Sequence, residues 1–152
     1  MLEDAAFVYD LVNDPDWLRN IGDRGVRNLD DARAYMRRAM LAMYERHGFG
    51  MYLVELKETG EPIGTCGLVK RDGLDDVDIG FAFLPQFRDR GFAREAAVAV
   101  LGHARELGLP RVVAIVSAAN DRSISLLERI GLRFERMLKL PSDDEEICLY
   151  ST

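Results

Sequence analysis

The sequence predicts an α/β (α+β) domain with a mixed, mostly antiparallel central sheet, one parallel βαβ unit within it, and helices on both faces. Three observations predict this. Along 75–84, Val77, Ile79, Phe81 and Phe83 alternate with other residues, the pattern of a strand with one buried face. Ala93, Ala97, Val100, Leu101, Ala104 and Leu107 then recur at three- and four-residue spacing, so 91–107 is a helix, stopped by Gly108 and Pro110. Arg111-Val112-Val113-Ala114-Ile115-Val116-Ser117 follows, almost continuously apolar, as expected of a strand covered on both faces. A strand, a crossover helix and a second buried strand form a parallel unit with a right-handed connection.

The remaining elements follow in order. Residues 3–14 read as a short helix with Ala6, Phe7, Leu11 and Val12 on one side, broken by Asn13-Asp14-Pro15, and a second short turn covers 15–20. Asn28 or Leu29 precedes Asp30-Asp31, an N-terminal signature for a helix over about 30–46 that carries Ala32, Met36, Ala39, Met40 and Met43 and ends at Gly48 and Gly50. Met36, Met40, Met43 and Met51 are either core residues or the lining of a substrate cleft. Strands at 51–57 and 62–70 form a hairpin through Glu58-Thr59-Gly60-Glu61. Asn120 to Ile130 is the last helix, with Ile124, Leu127 and Ile130 on one side and Gly131 as its stop. Strands near 132–140 and 145–150 close the chain, joined around Pro141-Ser142-Asp143-Asp144. The acidic run Asp143-Asp144-Glu145-Glu146 reads as a solvated hairpin loop. No repeat or linker divides the chain, so 1–152 is read as a single domain.

Composition narrows the function classes. A chain of 152 residues buries about 70% of the surface its unfolded form exposes, enough for a core without disulfide or metal. Cys66 and Cys148 form no C-x-x-C pattern, so neither a zinc site nor a disulfide scaffold is expected, and a reducing cytoplasm fits best. No run approaches the about 18 apolar residues of a membrane span, and no basic, then apolar N-terminal segment is present. A net charge of −6 argues against nucleic-acid binding and is compatible with a cationic substrate such as an amine.

The stretch from Pro85 to Ala96 reads as an anion cradle. Gly91 lets the backbone approach a ligand, and the unpaired N–H groups of the first helical turn point at it. The helix end adds about half a positive charge, and Arg88, Arg90 and Arg94 add whole ones against Asp89. Such a cradle does not name its ligand, and a nucleotide phosphate is one candidate.

The strand, the Arg88-x-x-Gly91-x-Ala93 loop and the helix together resemble the acetyl-CoA signature of the GNAT superfamily of N-acyltransferases. Residues 115–134, with Asn120 and Ser123, are similar to the second motif of the branch that includes the RimJ and RimL ribosomal-protein N-terminal acetyltransferases. Glu61-Pro62-Ile63-Gly64-Thr65-Cys66-Gly67-Leu68 resembles that branch's central hairpin. The resemblance implies acetyl-CoA as cosubstrate, with no metal. It implies that the pyrophosphate rests on the loop at Arg88, Asp89, Arg90, Gly91, Phe92 and Ala93, beside Arg94. It also implies that the pantetheine arm runs along Phe81, Ala82, Phe83 and Leu84, where the strand splays from its parallel neighbour. Asn120 would reach the arm from the other side, as well as or instead of capping its own helix. Ser123 is either a first-turn residue or a ligand contact.

Acetyl transfer requires a neutral attacking amine, and Asp78 is the candidate base, matching an acidic residue that family members carry on this strand. The alternative is that Asp75, Asp76 and Asp78 form a solvated strand entrance. The family's tyrosine proton donor corresponds to Leu127, leaving Ser123 or Ser125 as substitutes acting through water. His47 and His103 receive no role, and Tyr52 and Tyr150 have no predicted place. Related chains open with a strand, whereas Met1-Leu2-Glu3-Asp4 runs almost directly into a helix; an uncovered sheet edge would invite homodimerisation. The function expected is acetyl-CoA-dependent acetylation of a primary amine, on a protein N-terminus or a small molecule, by direct attack in a ternary complex. The alternative is a non-catalytic acyl-CoA-binding module.

Overall fold

Alternation along the strands decides which helix covers which face of the sheet. The computed structural model describes residues 2–141 and 143–152. It contains a six-stranded sheet, β1 (Met51–Glu55), β2 (Pro62–Val69), β3 (Val77–Phe83), β4 (Val112–Val116), β5 (Arg133–Leu138) and β6 (Ile147–Ser151). The strand order is β1-β2-β3-β4-β6-β5, antiparallel throughout except for β3 with β4. The mixed α+β architecture expected from the sequence is thus the one observed.

One face carries Val77, Ile79, Cys66, Leu68, Val112, Ala114 and Val116 against α5 (Phe92–Glu106) and α6 (Asp121–Arg129). From α5, Ala97, Val100, Leu101 and Ala104 are buried there, and from α6 Leu127. The opposite face presents Leu53 and Ala82 to a layer built from α1 (Ala5–Val12), α2 (Pro15–Asn20) and α3 (Leu29–Tyr35), with Val8, Leu11, Val12, Trp17, Ala32 and Tyr35 at its centre. Asn28 caps α3, its side chain accepting from the Asp31 N–H at 2.8 Å. The helix expected over 30–46 is not uniform. It widens into a π-helical turn at Met36–Leu41, where the Ala42 N–H bonds to the Arg37 carbonyl five residues back, before α4 (Ala42–His47) resumes. Of the methionines on it, Met36 is core, while Met40 packs at the margin of the α1–α3 cluster.

The third strand begins at Val77 rather than 75. Asp76 is drawn off by Arg111 at 2.9 Å, and the same guanidinium also forks onto Glu135, a tie between the sheet's two halves. Among the described residues no strand precedes α1. The chain enters it through a 3₁₀ turn at Leu2–Asp4, and β1 is an edge strand. The turn expected around Pro141-Ser142-Asp143-Asp144 lies between β5 and β6, with Ser142 outside the described residues.

A long-range ion pair fixes the helical layer to the end of β3. The Arg88 guanidinium meets Asp14 at 2.9 Å and Asp16 more closely still, and its Nε donates to the Phe83 carbonyl at 3.0 Å. Asp14 is the cap of α2 and its side chain is 8% exposed, so Arg88 stands in for much of the water the carboxylate has lost. Arg88→Met is expected to lower stability by about 3 kcal/mol by leaving that carboxylate uncompensated. Urea unfolding checks this, and a loss below about 1 kcal/mol would show that the cluster is merely a surface contact.

Candidate active site

β3 and β4 pair over two positions only, Val77 with Val112 and Asp78 with Val113. β3 then stays with β2 out to Phe83, and β4 stays with β6 out to Val116, so the two strands part and leave a wedge between them. The Leu84 N–H bonds to the Ile63 carbonyl at 3.0 Å, which makes 84, 82 and 80 the residues whose amides face β2. By the same alternation the amides of Phe81 and Phe83 turn toward the wedge. The expected row of backbone partners at Phe81, Ala82, Phe83 and Leu84 is therefore divided: Phe81 and Phe83 face the gap, while the amides of Ala82 and Leu84 belong to the sheet.

At the mouth of the wedge, Pro85–Phe87 makes a 3₁₀ turn and the chain swings into α5. Asp89 takes φ +60° and Gly91 φ +83°. Two left-handed residues in three turn successive amides inward as an anion-binding nest does. Gly91 is the cap of α5 and has no side chain to occupy the opening, and a Cβ there would meet nothing within 4 Å. The helical ladder starts with the Glu95 N–H on the Gly91 carbonyl, which leaves the N–H groups of Phe92, Ala93 and Arg94 ahead of it. The three arginines expected to supply charge separate into different roles. Arg88 is neutralised by Asp14 and Asp16. Arg90 lies over the rings of Phe92 and Phe87, 5.0 and 5.8 Å from their centroids, and Arg94 is exposed on the first turn.

The second helix N-terminus meets this loop. Arg122 lies 3.5 Å from Asp89, which brings the start of α6 beside the cradle. Asn120 caps α6, accepting from the Ser123 N–H at 3.3 Å, so its capping role is observed, and Ser123 sits half-buried in the first turn. Leu127 is 1% exposed and belongs to the core, not to the wedge.

Asp78 occupies the closed end of the wedge, about 16 Å along the strand from Phe83 at the usual rise per residue. It faces the helical layer and is 1% exposed, so the solvated strand entrance is not what the fold builds. Arg71 Nε donates to its Oδ2 at 2.6 Å. Burial pushes the Asp78 carboxyl above its ordinary 3.8, against the pull of Arg71 and Lys70. Asp78 and Ser123 are therefore at opposite ends of the site. Sequence reasoning passed over Arg71 and Tyr35, which share the Asp78 end; Arg71 lies seven residues from Asp78 but reaches it only because the β2–β3 turn folds back.

The residues left unplaced by the sequence lie elsewhere. Tyr52 Oη is 3.2 Å from His103 Nε2 on the α5 side of β1, beside a groove of about 480 Å³ lined by Val54, Cys66, Ala96 and Val100. Tyr150 packs in the core, edge-on to Phe134, and His47 stacks on Phe49. Among the described residues no group of three or more His, Cys, Asp or Glu is placed to hold a metal.

Comparison with known proteins agrees with this arrangement. Residues 1–133 match the family model described as the acetyltransferase (GNAT) domain. The uncharacterized N-acetyltransferase YnaD of Bacillus subtilis (strain 168) is 28% identical over 146 residues, covering 94% of this chain and 82% of YnaD. The crystal structure of an acetyltransferase from Agrobacterium tumefaciens str. C58 superposes with a TM-score of 0.83 at 29% identity, covering 100% of this chain and 86% of that one. Two more distant structures share the fold. They are RimL, a ribosomal L7/L12 alpha-N-protein acetyltransferase (18% identity, TM-score 0.82, 100% and 86% covered), and yncA of Salmonella typhimurium with its cofactor acetyl-CoA (16% identity, TM-score 0.77, 100% and 89% covered). With its splayed parallel pair, its glycine-capped crossover helix and a family match over most of its length, the chain belongs to the GNAT family of acetyltransferases.

Proposed function

We propose that the protein transfers an acetyl group from acetyl-CoA to a primary amine by direct attack while both are bound. The observation that carries this reading is one junction: the wedge beyond Asp78 and Val113 opens onto the Gly91 nest, so free strand amides lead directly to an anion-binding helix end. Acetyl-CoA, when bound, supplies an activated thioester acyl group. The cradle fits its pyrophosphate: the amides of Phe92, Ala93 and Arg94 and the Gly91 opening receive phosphate oxygens, with Arg90 and Arg94 as the free cations. The Phe81 and Phe83 amides hold the extended arm and stand where a carbonyl oxygen gaining negative charge needs donors. Asn120 and Ser123, next to the loop, close its other side.

At the far end Asp78, about 10 Å along the strand from Phe81, takes up the proton of the incoming ammonium through a chain of waters before the amine meets the thioester, since an alkyl amine with a pKa of about 10.4 is otherwise protonated. Burial has raised the carboxyl's proton affinity, which improves it as a base, and Arg71 orients it. Cys66 is not a competing acyl carrier, because burial pushes its thiol up to about 12. Two buried free thiols suit a reducing compartment, and we place the protein in the cytoplasm. Likeness to RimL supports a protein N-terminus as acceptor, and small amines suit the same chemistry. The core position of Leu127 favours one competing reading, a binding module without turnover. Calorimetric titration with acetyl-CoA followed by CoA release against peptides and small amines decides: binding with turnover is expected, and binding without turnover would establish the module.

Four outcomes follow for the protein itself. Asp78 must be deprotonated to act, so kcat/KM rises with pH through a limb lying above the ordinary carboxyl value of 3.8, and Asp78→Asn removes that limb and lowers the rate about 10²-fold. An unchanged pH profile would exclude Asp78 as the base. The same raised value has a stability consequence of definite sign: Asp78's contribution is complete below its unfolded pKa and is lost as pH rises through the folded one. Gly91→Val places a β-branched residue at φ +83°, at a local cost of about 1–2 kcal/mol, and is expected to weaken acetyl-CoA binding at least tenfold. Unaltered affinity would move the pyrophosphate elsewhere. The open β1 edge supports a homodimer, for which light scattering at increasing concentration should show a mass of twice 17.2 kDa; a clean monomer would contradict it.

A further inference from the structure

Beyond the donor site, the Asp78 end of the wedge gathers positively charged side chains. Tyr35 is buried at the centre of them. Arg38 lies over its ring, 5.9 Å from the centroid, on the wide π-helical turn that follows α3. Burial pushes the Tyr35 phenol up against the pull of Arg24, Arg71 and Arg38, and Arg71 is the partner of Asp78. Lys70 adds a fourth cation near Asp78, its Nζ held by the carbonyls of Arg71 and Leu74. The carboxylate bonded to one of these cations is Asp78, held by Arg71. Among the described residues neither Arg24 nor Arg38 has a carboxylate partner, whereas Arg27, Arg33, Arg88 and Arg111 all do.

In a chain of net charge −6 this convergence runs against the overall balance. Cations drawn around one phenol repel one another, and that repulsion is relieved when an anion sits among them. Guanidinium groups are suited to the task, since they grip carboxylate and phosphate oxygens with paired donors. Arg24 and Arg38 are exposed at the rim while Arg71 is half-buried beneath them, so the cluster is open to solvent and floored by the Asp78 ion pair.

We infer that the acceptor is a small amine that also carries an anionic group, a carboxylate or a phosphate, which docks among Arg24, Arg38 and Arg71 and so directs its amine toward Asp78. The inference rests on the acetyl-transfer reading for the identity of the reacting end. It explains how an acidic protein holds a zwitterionic substrate: the amine is drawn to Asp78 and the anion to the arginines.

The test uses the whole protein saturated with CoA and matched probes titrated by calorimetry: phosphoethanolamine against ethanolamine, and 4-aminobutyrate against 4-aminobutanamide. At least one anionic probe is expected to bind about tenfold or more tighter than its neutral counterpart, the scale of one charge-assisted contact. The double variant Arg24→Gln/Arg38→Gln is expected to reduce the preference to about twofold or less, while acetyl-CoA affinity and thermal midpoint stay at parent values. A preference for phosphoethanolamine alone assigns the anion as phosphate, and one for 4-aminobutyrate alone assigns it as carboxylate. Equal affinity within both pairs, no binding of either anionic probe, or a preference that survives the double variant overturns the inference. Acetyl-CoA affinity, measured on the same sample, tests the donor reading separately.

Discussion

The arrangement of the molecule depends on how little β3 and β4 share. Their parallel ladder holds over Val77–Val112 and Asp78–Val113 and then ends, because each strand is bound more extensively on its other side, β3 to β2 over six pairs and β4 to β6 over four. Two antiparallel halves are thus hinged at one end and open at the other. Helix α5 bridges them from below, and its contact residues Ala97 and Ala104 are small enough to let it lie close to the sheet. Backbone amides left unpaired in the interior are costly unless something hydrates or binds them. The wedge is therefore both the weakest seam of the sheet and the place where an extended ligand can complete its hydrogen bonding.

Charge is distributed around this seam by position. At the mouth, the nest at Asp89 and Gly91 offers amides, and Arg88, which looks like part of the anion site, is turned away to hold α2 against the end of β3. That ion pair ties the helical layer to the strand that carries the donor loop. At the closed end, Asp78 is buried against Arg71 under a rim of further cations. The two ends thus offer different chemistry: one suits phosphate groups by backbone geometry, the other suits a group with both a positive and a negative part.

Local patterns in the sequence were enough to place the elements around the first of these ends. Gly91 before the apolar repeat of α5, the near-continuous apolar run of β4 and Asn120 ahead of α6 are signals within one element or at its boundary, and each element was found within a few residues of its expected place. What was not legible depended on distance in the chain. Nothing near Arg88 reveals that its partners are Asp14 and Asp16, more than seventy residues away. The π-helical turn after Tyr35 has no periodicity of its own, since the apolar spacing of Met36, Ala39, Met40 and Met43 suits an ordinary helix. Asp78 showed its face by alternation, but its burial depended on the helical layer closing over it. The alternation also decides between Phe81 and Ala82 as wedge-facing amides only once the register with β2 is known.

Amide hydrogen exchange with and without acetyl-CoA tests the central claim, that the wedge and the nest are one ligand site. The account predicts slowed exchange at Phe81 and Phe83 and at Phe92, Ala93 and Arg94, with the groove between β1 and α5 unchanged. Protection at Tyr52 to Val54 instead, or at none of the wedge amides in a complex shown to form, would contradict it.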